Sequence, residues 1–187
     1  MMRLPKIWFI GFSSLLLMAC QPGGLLKLSD SDDRKIYSLE GSQLSLNRAL
    51  EVGAEKARVF IQDGTARIGY NVSEYDTQCN FEVDSIAHQG LTIEPDIFLV
   101  RKVQLVLEPV VLKQPVKVAA LSLAGMDGDS GGVSASFMGY HFWLDSPRQP
   151  QVRRMTCHGT YAEPADLRPP TLQEIRETLG SIARFQQ

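Results

Sequence analysis

Three groups of residues could do chemistry. Ser130 sits in Gly128-Asp129-Ser130-Gly131-Gly132, a serine raised between glycines as a hydrolytic nucleophile often is. Such a serine needs a histidine base and a carboxylate to orient it. His88 stands upstream, and Asp96 or Asp127 supplies a carboxylate. The second group is Asp127 and Asp129, whose Asp-x-Asp spacing begins several oxygen-rich calcium loops. The third is the three cysteines, Cys20, Cys79 and Cys157.

The pentapeptide is similar to the one around the nucleophile of chymotrypsin-like proteases, where base, orienter and nucleophile follow in the order histidine, aspartate, serine. That resemblance implies two barrels, with the histidine closing the first and the serine well into the second. Here His88 and Ser130 lie too close in sequence for a barrel to intervene. The residue after His88 is Gln89 where the family has cysteine, and no substrate-lining strand follows Gly132. A calcium loop of the EF-hand type is satisfied at its sixth place by Gly132 but carries Met138 where its bidentate glutamate belongs. Four glycines, two aspartates and a serine from Gly125 to Gly132 instead read as a solvated loop between strands, and no enzyme is expected. His88, His141 and His158 show no metal-ligand spacing, so neither metal nor cofactor is expected.

Arg3 and Lys6, then an apolar run from Ile7 to Met18, then Ala19-Cys20, have the order of a secretory leader. The run is about a dozen residues, short of the ~20 that span a bilayer. Leu17-Met18-Ala19-Cys20 resembles the lipobox of bacterial lipoproteins, which implies cleavage after Ala19 and a lipid on the Cys20 sulfur. Two or three acyl chains at about 0.8 kcal/mol per methylene make a lasting anchor. Gln21 rather than aspartate resembles the outer-membrane default of that class, on the periplasmic side, with the inner membrane as the alternative. The membrane is thus one expected partner.

The leader holds two of the 19 basic residues and none of the 21 acidic ones, so the rest is mildly acidic, 17 against 21, and no nucleic-acid partner is expected. With Cys20 assigned to lipid, Cys79 and Cys157 remain as a pair in an oxidising compartment and are expected to form a disulfide.

These groups must be positioned by the elements between them. Residues 1–19 read as the leader, 20–40 as a lipidated tether rich in glycine, serine and aspartate, and 41–187 as one domain. Period-2 segments bounded by Gly, Pro and Asp predict a mainly β fold, a small antiparallel sandwich or barrel-like domain. Asp63-Gly64 between apolar runs predicts a tight hairpin. Cys79, Phe81 and Val83 share one strand face and Met155 and Cys157 another, which predicts a staple across the core. Thr171 and Glu174 form a capping box, and Leu172, Ile175, Leu179 and Ile182 recur at helical spacing, so one C-terminal α-helix is expected over about 171–185.

Phe137 to Leu144 is the most aromatic stretch. On a strand, Phe137, His141 and Trp143 share a face opposite Met138, Tyr140, Phe142 and Leu144, and they are the candidate binding residues, a platform for a sugar ring or a partner protein. Arg148, Arg153 and Arg154 read as solvated cations, the adjacent pair on opposite faces. The expected function is a membrane-tethered binding or structural module of the cell envelope, with an envelope protein or glycan as partner. An envelope hydrolase or a sugar- or lipid-binding protein is the alternative.

Overall fold

The computed structural model describes residues 30–69, 71–109, 136–163 and 165–186. Cys20 and the Gly125–Gly132 segment, with Asp127, Asp129 and Ser130, lie outside these residues.

The fold is mainly β, an antiparallel eight-stranded sheet curled into a half-barrel, with a C-terminal helix. In chain order the elements are α1 (Asp30–Tyr37), β1 (Gln43–Leu46), β2 (Leu50–Val52), β3 (Arg58–Gln62), β4 (Thr65–Arg67), β5 (Gln78–Val83), β6 (Leu91–Ile93), β7 (Asp96–Pro109), β8 (Ser136–Asp145), β9 (Val152–His158), α2 (Leu172–Leu179) and β10 (Ala183–Gln186). The sheet runs β10-β1-β7-β8-β9-β5-β3-β4, and β2 pairs with β6 as a separate ribbon.

The inner face collects the apolar half of each alternating strand. Leu44 and Leu46, Phe98 and Val100, Tyr140 and Phe142, Met155, Phe81, Val59 and Ile61 are buried there in one cluster with Ile36, Leu39, Leu172, Ile175 and Leu179. Each such side chain contributes about 1.5–3 kcal/mol when fully buried. The long strand β7 keeps its apolar residues inward only because Arg101 is bulged out between Val100 and Lys102, so that Val100 and Val103 face the core. The hairpin forms at the expected place, with Asp63 at φ 52° and Gly64 at φ 66°, the positive angles that a two-residue turn demands.

Three expectations change. The tether does not extend to residue 40, because α1 occupies Asp30–Tyr37 and Ile36 and Leu39 are buried in the core. Its aspartates come first and Arg34 and Lys35 last, the polarity a helix dipole favours. The C-terminal helix has the predicted capping box but stops at Leu179. Gly180 turns the chain at φ 54°, and a Cβ there would stand 2.8 Å from the Gly64 Cα, so the hairpin turn and the helix end meet glycine to glycine. Ile182 still reaches the core, and Ala183–Gln186 then runs as β10 beside β1. The third change concerns the disulfide. Cys79 and Cys157 are bonded and buried, but they are direct partners on the neighbouring strands β5 and β9, so the staple ties two strands of one sheet instead of crossing the core.

Candidate binding face

The second face of the sheet is where polar side chains gather. Register alone lines them up. One row crosses Arg67, Phe60, Asn80, Thr156, His141 and Gln104; the next crosses Arg58, Glu82, Arg154, Trp143 and Lys102; a third brings Gln78, His158 and Gly139 together. Phe137, His141 and Trp143 do share this face, as the spacing of β8 requires. They are not an open platform. Phe137 and His141 are each 6% exposed, and Trp143 is half-buried.

The Trp143 ring is occupied by cations. The guanidinium carbons of Arg153 and Arg154 both lie 5.3 Å from its centroid, and its Nε1 donates to Gln104 Oε1 at 3.3 Å. That both arginines arrive here corrects the expectation that they point apart. Val83 pairs with Val152 and Glu82 with Arg154, so Arg153 is an extra residue in β9 and strict alternation fails at that point. Both then reach the buried carboxylate of Glu82, Arg154 by a fork at 2.9 and 3.1 Å and Arg153 at 3.7 Å, with Arg58 joining at 3.1 Å. Arg148 lies apart from them, paired with Asp96 at 3.3 Å.

His141 Nδ1 is 2.8 Å from Thr156 Oγ1. Burial, and then the nearby charge of Arg154, push its pKa down to about 4, so the ring is neutral at neutral pH. His158 Nε2 stands 3.6 Å from Glu108 Oε2, and this contact foremost draws the Glu108 pKa down to about 2. His158 needs the bare backbone of Gly139: a Cβ there would lie 2.2 Å from the Cys157 carbonyl oxygen and 2.8 Å from the His158 ring. Phe137 packs against His158 at 5.7 Å and Tyr161 at 5.5 Å, and Tyr161 meets the exposed ring of Tyr75 edge-on at 6.4 Å.

Between these pairs lie groups with no partner. Asn80, 1% exposed, has neither Oδ1 nor Nδ2 hydrogen-bonded among the described residues, and Gln78 Oε1 and His158 Nε2 are in the same state. Each buried polar atom left so costs about 1–3 kcal/mol. Gln78, Asn80, Thr156 and His158 were not singled out by sequence reasoning, which took the polar half of β5 and β9 for a solvated face. The signal was present: asparagine is disfavoured in strands, yet Asn80 lies mid-strand between Phe60 and Thr156.

The remaining chemical candidates are dispersed or committed elsewhere. His88 is a nearly fully exposed side chain 3.7 Å from Glu55. Burial raises the pKa of Asp96, but hydrogen bonds from Ser146 and Gln149 outweigh it and the net direction is down. Among the described residues no three His, Cys, Asp or Glu side chains converge as a metal site would require. The arrangement on the sheet face, with paired charges at its ends and uncharged polar groups at its centre, suits recognition of a neutral polar group.

Comparison with known proteins finds no matching family model, no matching curated protein and no matching solved structure.

Proposed function

We propose that the chain is a bacterial lipoprotein, lipidated at Cys20 and held on the periplasmic side of the outer membrane, where its β domain works as a tethered binding module through the second face of the sheet. The observation that carries this reading is the pairing of Cys79 with Cys157. It uses the two thiols of the domain in a bond suited to an oxidising compartment and leaves Cys20 as the one odd cysteine, at the end of Leu17-Met18-Ala19. Among the described residues no helix is long and apolar enough to cross a membrane, so attachment in this reading rests on the lipid. An envelope glycan or protein is the partner that a neutral polar face suits.

Radiolabelled palmitate tests the anchor. Wild-type protein takes up label and sediments with envelopes, whereas Cys20→Ser takes up none and is released. A Cys20→Ser protein that matures and fractionates like wild type would falsify the reading.

A further inference from the structure

The unpartnered groups of the sheet face are adjacent. Gln78 and Asn80 stand two residues apart on one side of β5, and His158 is the direct cross-strand partner of Gln78. Their own sheet does not provide for them, because β5 is paired with β3 on one side and with β9 on the other, which commits its backbone groups and theirs to the ladder. Four side-chain atoms, Asn80 Oδ1 and Nδ2, Gln78 Oε1 and His158 Nε2, are left facing a space shielded from bulk water. Native folds keep few such atoms, and a group of them in one place asks for an occupant.

We propose that this patch receives the acetamido arm of an uncharged amino sugar; the inference rests on the binding-module reading and names its ligand. The Asn80 carboxamide presents a donor and an acceptor side by side, the complement of a CO–NH group, and Gln78 Oε1 is a further acceptor for a sugar N–H or O–H. No unmatched charge stands at the centre to call for an ion: His141 is neutral, Glu108 faces His158, and Glu82 is held by arginines. Side chains only 1–5% exposed admit a slim terminal arm and leave no open groove for a peptide running through. The sugar ring stays outside, against Tyr161 and Tyr75, which Phe137 links to His158. Tyr75 is 72% exposed and offers the ring face that a pyranose stacks on.

The test is a titration of the full lipidated chain in detergent micelles, following the side-chain amide signals of Asn80 and Gln78 by nitrogen-15 NMR. N,N′-diacetylchitobiose shifts both signals; cellobiose, which has the same rings without the acetamido groups, shifts neither. Asn80→Leu weakens binding at least tenfold and raises the unfolding midpoint of the ligand-free protein, because an unsatisfied amide is replaced by an apolar group of its size. Gln78→Met gives the same two changes and serves if Asn80→Leu does not fold. The proposal is overturned if diacetylchitobiose leaves the signals unmoved, or if a blocked alanine dipeptide binds as well. It is equally overturned if both substitutions lower the midpoint, which would mean that water or another part of the chain already satisfies the amides. Failure of palmitate labelling would remove the envelope reading and leave this titration standing, so the two are separable.

Discussion

Breaking the bond between Cys79 and Cys157 isolates the largest single constraint on the unfolded chain. The cysteines are 78 residues apart, and closing a loop of that length removes about 4.5 kcal/mol of conformational freedom from the denatured ensemble. Both are fully buried in the core cluster, so replacing them by alanine adds a packing loss to the entropic one. Chemical reduction keeps every heavy atom and measures the crosslink alone. For a domain of this size 1 kcal/mol moves the melting midpoint by about 2–4 °C, so reduction is expected to lower it by roughly 10–18 °C. Cys79→Ala/Cys157→Ala should fall slightly further. The assay is urea unfolding with and without reductant, followed by far-ultraviolet circular dichroism, with free thiols counted before each run. The oxidised and reduced forms should unfold with similar slopes and clearly separated midpoints. If they differ by less than about 1 kcal/mol, the loop is already closed in the unfolded state and the argument from chain entropy fails.

Two further outcomes follow from the sheet face. Gly139→Ala places a methyl where the Cys157 carbonyl and the His158 ring already stand, so it should cost about 1–3 kcal/mol, read as a lower urea midpoint; an unchanged midpoint would mean that β8 and β9 are not this close. Acid should destabilise the fold below about pH 6.5. His141 resists protonation down to about 4 while its unfolded counterpart accepts a proton from 6.5, so up to about 3 kcal/mol is lost across that window, and below 4.5 Glu108 and Glu174, both lowered to about 2, add losses of the same sign. His141→Gln should flatten the slope of midpoint against pH between 6.5 and 4, and a wild-type profile that is level from pH 7 to 5 would contradict the buried neutral ring.

What the sequence conveyed best was local. The Asp63-Gly64 turn, the box of Thr171 and Glu174 and the inward set of both cysteines each depend on a few neighbouring residues, and each is found in place. The two-sided character of Phe137–Leu144 is found as well, because alternation follows from strand geometry. What alternation cannot show is a residue that breaks it. The extra Arg153 in β9 brings adjacent arginines to one carboxylate, and the extra Arg101 in β7 keeps the core in phase. Nor does helical spacing reveal where a helix stops when the next apolar residue still reaches the core, as Ile182 does beyond Gly180. The helix α1 escaped notice because only Ile36 and Leu39 bury, within an otherwise polar stretch. The unpartnered carboxamides of Gln78 and Asn80 were illegible for a deeper reason: partnerlessness is a property of surroundings, and a sequence lists residues without them.

The bond between β5 and β9 also sets how the domain responds to mechanical load. A module held at one end by a membrane and at the other by a fixed partner is stretched whenever the two move apart. Without the crosslink, the 78 residues between the cysteines would pay out about 270 Å of slack once the strands parted. With it, that length stays locked whatever the force, and only the flanking chain can lengthen.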